Sequence, residues 1–366
     1  MCSFPTSRDP LKWPFARDSI WNMPVGSDAI YVPANIGLPT YEGMTEDPDI
    51  LILTPEAPLT AIYYNYEGWS GRSRCEPQGG LFLRAPMPVN FAVPHFPEVP
   101  PHTPNHAAAI LMPDGRTIKQ NQPFHRCRTG GPAVSQFIYP DVDIYGDGIQ
   151  GAHGGSGMSS IGGTLRLGEL VPGGVIRHAL KINLYGAKYL HYALDEPDGQ
   201  PGYRWPSVKA DGYAGDPDSP SRYQGANPAV QMGSLLALHR DADLEGNELA
   251  LETEPAKILA RAFQDYGAYV VDDTARDSYA MATEYGPDGR AAVEFQEIWG
   301  FPFEQKETDT PWARDMARIF TNLYAIDNNG PGNIGGGGTP CQPLAPPFNC
   351  SKNNPINKPI SIDGGK

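Results

Sequence analysis

Carboxyl groups set beside aromatic rings in glycine- and proline-rich loops are the first chemistry this chain offers. Asp272 and Asp273 end the run AYVVDDT, Asp211 lies in WPSVKADGY, and Glu169 sits in RLGEL. Two carboxyl groups flanking a glycosidic bond hydrolyse it, with retention at about 5–5.5 Å separation and with inversion at about 6.5–9.5 Å. Successive residues of a strand face opposite ways, so Asp272 and Asp273 reach one cleft only where the strand ends. A second chemistry needs other groups. Elimination from a uronic-acid polymer takes a Tyr or His base and a cation or amide beside the sugar carboxylate, and His153, Tyr213 and Arg166 offer that set. Arg166 alternates with Leu165 and Leu167 and is expected at a cleft floor. The loop 195–228 crowds Tyr203, Arg204, Trp205, Asp211, Tyr213, Arg222 and Tyr223 together. Rings stack on sugar faces while acids bind hydroxyls. The expected catalytic residues are therefore Asp272, Asp211, His153 and Asp273, and the expected substrate-binding residues are Trp205, Tyr213, Arg166 and Tyr203. A structural flap is the competing reading of the same loop.

His153 belongs to HGGSG. His-Gly-Gly can mark an esterase oxyanion loop, but that reading needs a Gly-x-Ser-x-Gly elbow, which the chain lacks. The glycines instead let backbone approach something closely, and His153 is expected in a flexible, exposed loop. His178 falls on an apolar strand face with Ile176, Leu180, Ile182 and Leu184, where a histidine is usually a satisfied core residue. Asp141, Asp143 and Asp147 surround Gly146 at spacings that partly resemble a calcium loop. They lack the distal Glu, and Tyr145 stands where an oxygen ligand is expected. The expected cofactor is none, or structural calcium at those three aspartates. His95, His102 and His106, in the proline-rich loop 85–106, fit no metal spacing, and no HExxH is present.

The elements that must position these groups read mostly as strands. AAAILMPDGRTIKQ is a hairpin around a Pro-Asp-Gly turn. AVSQFIY, IRHALKINL, MGSLLAL, the run 268–271 and AAVEFQEIW follow as strands, the last with Glu294 and Glu297 on opposite faces. One helix is capped near Thr253, carries Pro255 in its first turn and Ile258, Leu259, Ala262 and Phe263 on its apolar face, and stops at Gly267. A second runs from Pro311 to about Tyr324. The expectation is an all-β fold, a β-sandwich or jelly roll, with two short helices and long Gly/Pro-rich loops. Residues 1–45 form an extended arm, 46–326 the core domain and 327–366 a C-terminal strap.

Composition narrows the class. The 366 residues include 41 Gly and 39 Pro, and charged residues are 19%, below the roughly 25% of ordinary chains. A net charge of −14 without a Lys/Arg cluster excludes a nucleic-acid partner. It also weakly disfavours a polyanionic substrate, unless a local basic pocket overrides it. No apolar run is long enough to cross a membrane as a helix. Five cysteines without CxxC or Cys/His metal spacing point to disulfides and export, with Cys75–Cys127 and Cys341–Cys350 as the expected pairs. Cys2, followed by Ser3, reads as a lipid-anchored start.

The pieces GGTLRLGELVPGGVIRHALKINL, YRWPSVKADGY, MGSLLAL and AKILARAFQDYGAYVVDD resemble, in that order, a set of secreted bacterial β-rich proteins often joined to carbohydrate-binding or adhesive modules. The resemblance covers roughly residues 105–280. It implies an exported protein of the bacterial cell surface or surroundings that handles carbohydrate, and it assigns no catalytic residue. Where that set carries Asp-Asn-Gly, this chain has Asp272-Asp273-Thr274. The expected function is an exported polysaccharide-degrading enzyme, hydrolase or lyase. The alternative is a non-catalytic carbohydrate-binding or assembly lipoprotein.

Overall fold

A computed structural model describes residues 4–70, 72–95, 104–194, 200–244, 246 and 249–349. Cys2, His102 and Cys350 lie outside the described residues, and with them the lipid anchor and the Cys341–Cys350 pair. The Cys75–Cys127 disulfide is present, closing a loop across 52 positions. No described helix is long and apolar enough to cross a membrane.

Twelve strands form one mixed sheet. Ten run in the order Tyr31–Pro33, Leu323–Ile326, Leu235–Leu238, Ala268–Asp273, Leu180–Leu184, Ala280–Gly286, Thr45–Ile52, Ala108–Leu111, Thr117–Gln122 and Phe137–Ile138; Gly289–Arg290 and Val142–Asp143 attach at the side. Three neighbouring pairs are parallel: Leu180–Leu184 with Ala268–Asp273, Ala280–Gly286 with Thr45–Ile52, and Thr45–Ile52 with Ala108–Leu111. A second sheet holds Leu81–Pro86, Leu59–Tyr64 and Ala133–Ser135. The fold is mostly β, but it is neither a β-sandwich nor a jelly roll, and the described residues carry four α-helices rather than two.

The correction has a physical cause. Strands with parallel neighbours are buried on both faces, and here alternate residues feed two separate cores. Leu180, Ile182, Leu184, Leu236, Leu238 and Val270 pack with Leu259, Phe263, Met316 and Phe320 of the helices Glu254–Asp265 and Pro311–Thr321. Leu235, Ala237, Tyr269 and Val271 pack on the opposite face with Phe15, Trp21, Met158 and Ile161. Each Leu, Ile, Val, Phe or Met among them contributes about 1.5–3 kcal/mol on burial. The segment before residue 46 thus supplies Phe15 and Trp21 to the interior.

AAVEFQEIW is a helix, Ala291–Trp299, ended by Gly300 at φ 79°. Ala292, Phe295 and Trp299 lie at helical spacing and meet the same core, while Glu294 and Glu297 stay toward solvent. The helix Glu254–Asp265 follows Thr253 as expected, but Thr253 Oγ1 donates to Asp315 Oδ2 and does not cap. Gly267, at φ 73°, ends it in a conformation other residues resist.

Candidate active site

The sheet reverses direction between Leu180–Leu184 and its antiparallel neighbour Ala280–Gly286. The C-terminal ends of Leu180–Leu184 and Ala268–Asp273 therefore open beside the N-terminal ends of Ala280–Gly286 and Thr45–Ile52. At this edge lies a cleft of about 980 Å³, lined among others by Asp47, Asn105, Asn183, Asp211, Tyr213, Asp272 and Asp273. A register shift between Ile182 and Asn183 sets Asn183 opposite Asp272 and Leu184 opposite Asp273. The strand ends at Asp273, so both aspartates reach the cleft.

Asp211 joins them from the loop 200–228. One carboxyl oxygen from each of Asp211, Asp272 and Asp273 lies within 4.8 Å of the others. The loop 151–158 holds this geometry. Ser156 N donates to the Val271 carbonyl at 3.1 Å, and Val208 N and Ser207 Oγ donate to the Ser156 carbonyl at 3.0 and 2.9 Å. Gly155 sits between the two acids. A Cβ there would stand 2.6 Å from Asp272 Oδ1 and 3.0 Å from Asp211 Oδ2, so any larger residue would push on both carboxyls. The close approach expected of the HGGSG glycines is real, and its object is this carboxyl cluster.

Each acid has a polar partner. Asn105 Nδ2 donates to Asp272 Oδ2 at 2.8 Å, Tyr213 to Asp273 Oδ1 at 2.8 Å, and Tyr223 to Asp211 Oδ2 at 2.5 Å. Burial, then the charge of Asp211, pushes Asp273 up to about 8. Burial, reinforced by Asp211, Asp273 and Asp47, raises Asp272 well above the carboxylate range. Asp211 is raised by burial, but Tyr223, Lys209 and Tyr213 oppose that shift. The cluster thus holds two acids pushed toward the protonated form beside one with compensating partners. Three carboxyl groups at this spacing also supply the oxygen donors that calcium takes. Against that fit, the Asn105 amide and the two tyrosine hydroxyls already donate to these carboxylates.

The other expected residues divide sharply. His153 is fully buried, not exposed: its Nε2 lies 2.8 Å from Asp49 Oδ1 and 3.1 Å from Lys181 Nζ, below the cleft. Thr164 Oγ1 donates to Asp49 Oδ2 at 2.5 Å, and Lys181 Nζ lies 2.7 Å from that oxygen. Burial opposes ionisation of Asp49, but Lys181 and His153 outweigh it and hold the carboxylate below its usual range. Arg166 does not line the cleft. Its Nε pairs with Glu284 Oε2 at 2.8 Å and its Nη2 donates to the Leu11 carbonyl. Trp205 packs against the core that contains Trp21 and Tyr269, and Tyr203 against the helix-covered core. Of the four expected substrate-binding residues, only Tyr213 lines the cleft.

Asp141 pairs with Lys119, Asp143 with Arg116, and Asp147 Oδ1 accepts from the Ile149 N–H. These three do not form a ligand group; among the described residues the one group of three lies at Asp211, Asp272 and Asp273. His178 is a satisfied core residue, its Nε2 3.0 Å from Glu169 Oε1, and Glu169 is thereby taken from the site. His95 and His106 do line the cleft. Sequence reasoning missed Asn105, Gln122, His125, Tyr139 and Asn183, which also line it. Asn183 was legible in part, since IRHALKINL sets it on the face away from the leucines. No family model, curated protein or solved structure matches this chain.

Proposed function

We propose that this protein hydrolyses glycosidic bonds in a polysaccharide bound along the cleft, using Asp272 as general acid and Asp211 as nucleophile. The observation that carries this reading is the close group of three carboxyls at the end of Ala268–Asp273, two of them strongly pushed toward the protonated form. A general acid must hold a proton at working pH, and burial pushes the most buried of the three, Asp272, in that direction. The carboxylate that attacks must ionise, and Asp211 has Lys209 and two tyrosine hydroxyls favouring that. Oxygens within 4.8 Å leave little room for an intervening water, which favours attack by the carboxylate and retention. Asp273, bonded to Tyr213, holds the second proton and keeps the ring of Tyr213 against the cleft. Trp69 and Phe137 stack with centroids 6.2 Å apart at the rim and are partly exposed, a surface for a sugar face.

The disulfide suits an oxidising compartment, and export to the cell surface or medium is part of the same proposal. β-Elimination is the second reading, favoured by the neutral histidines His106 and His125 in the same cleft. The test is a panel of neutral and acidic polysaccharides, scored for new reducing ends and for the ultraviolet absorbance of an unsaturated product. Reducing ends without absorbance support hydrolysis. Absorbance supports elimination, and silence across the panel returns the chain to a binding role.

A further inference from the structure

The wall of the cleft formed by His95 and His125 is built differently, with Arg74 packed against it. Arg74 is 1% exposed and has no carboxylate partner among the described residues. Its guanidinium donates to the carbonyls of Gly68 and Pro104 and lies against His125, with Nη1 3.2 Å from His125 Nε2. Arginine only donates, so His125 Nε2 accepts and His125 carries its proton on Nδ1. That N–H has no partner, and neither has Arg74 Nη2. His95 Nδ1 accepts from the Arg74 N–H at 3.1 Å, which places the His95 proton on Nε2. His95 and His125 both line the cleft, their rings 5.0 Å apart. A buried cation beside two histidines, with unpartnered N–H groups on His125 Nδ1 and on its own Nη2 and with no carboxylate partner among the described residues, lacks its counter-charge.

The chain fixes this pole in place. Cys75 follows Arg74, Cys127 stands two residues after His125, and their disulfide clamps the two segments together. The pole also lies close to the acids. Pro104 takes the Arg74 donor while the next residue, Asn105, donates to Asp272, and successive Cα atoms are only about 3.8 Å apart. Lys209 and Arg276 line the same cleft and lie against the rings of Tyr139 and Tyr41, with no ion pair to a carboxylate among the described residues.

We infer that the Arg74–His95–His125 pole is an anion subsite, and that the substrate is an acidic glycan whose carboxylate or sulfate ester sits there, on a sugar adjoining the bond that the aspartates address. The inference rests on the hydrolytic reading for the position of that bond, but not for the subsite itself. A protein of net charge −14 would otherwise repel such a chain; the local basic pole offsets that repulsion.

The test is calorimetric binding of three hexasaccharides, of galacturonic acid, of 6-sulfated galactose and of galactose, to an Asp272→Asn variant, so that no turnover intrudes. At least one acidic hexamer is expected to bind tenfold or more tighter than the neutral one, and which one does so separates carboxylate from sulfate recognition. Arg74→Gln and His125→Gln, each added to that background, should bring the preference to within twofold. If Arg74→Gln does not fold, raising the salt concentration on the parent should erase most of the preference without any further change to the chain. Equal or tighter binding of the neutral hexamer overturns the subsite, as does an acidic preference that survives both His125→Gln and high salt. Acidic preference without cleavage by the wild type would keep the subsite and reject the hydrolytic reading.

Discussion

The aspartates that meet at the cleft and the aspartate beneath it, on Thr45–Ile52, have opposite electrostatics. At the cleft, Asp211, Asp272 and Asp273 face one another with no lysine or arginine bonded to any of them among the described residues, and burial raises all three. Beneath it, Asp49 meets Lys181 at 2.7 Å and His153 at 2.8 Å and is held ionised. Asp47 spans the two regions, accepting from Asn183 Nδ2 at 2.9 Å while lining the cleft. A paired buried carboxylate is structural support. Unpaired carboxyls gathered at an opening are costly to the fold, and such a cost is retained where it does chemistry.

That contrast predicts opposite outcomes for conservative changes. Asp272→Asn should lower the rate of glycan cleavage by about 10²–10⁴-fold, with no loss of thermal stability in a calorimetric scan; an unfolded variant would place Asp272 with the structural group. Lys181→Met leaves Asp49 and His153 buried without their cation. It should cost about 3–5 kcal/mol in chemical denaturation, and a change under 1 kcal/mol would break the comparison from the other side.

The pH dependence follows with its sign. Asp273 carries a folded-state value of about 8 against an unfolded value near 3.8. Between those limits the folded chain holds a proton that the unfolded chain releases, so this group makes stability fall as pH rises from about 4 to about 8. Asp49 is lowered and works the other way: its contribution is present above the unfolded value and is lost as pH falls. Asp273→Asn should flatten the decline and add about 0.5–2 kcal/mol near pH 8, measured by denaturation across the range. The smallest expected effect is that of a chelator. EDTA should leave cleavage within twofold, because acids already bonded to Tyr213, Tyr223 and Asn105 do not require a cation. A strict calcium requirement would turn the acid group into a metal site.

Much of the site was readable before the fold. Asp211, Asp272, Asp273 and Tyr213 stood out by residue type, and the condition that the strand must end at Asp273 is met. His153 and Arg166 misled for one reason: each lies in a strand or loop whose outward face is covered by a second core, so polarity marked internal pairing, not exposure. The same double covering hid the mixed sheet, because alternating apolar positions read as one wet face. Ala292, Phe295 and Trp299 carried a helical period in AAVEFQEIW that the β-branched Val293 and Ile298 obscured. Arg74 gave no local signal; only its partner His125, 51 positions away, reveals the basic pole.

The most direct test of the central claim is to digest an acidic glycan in water enriched in oxygen-18 and weigh the products. Hydrolysis at the aspartate group predicts one heavy oxygen at each new reducing end, formed at least about 100-fold more slowly with Asp272→Asn. Unlabelled, unsaturated fragments, or labelled ones that form equally well in Asp272→Asn, would contradict it.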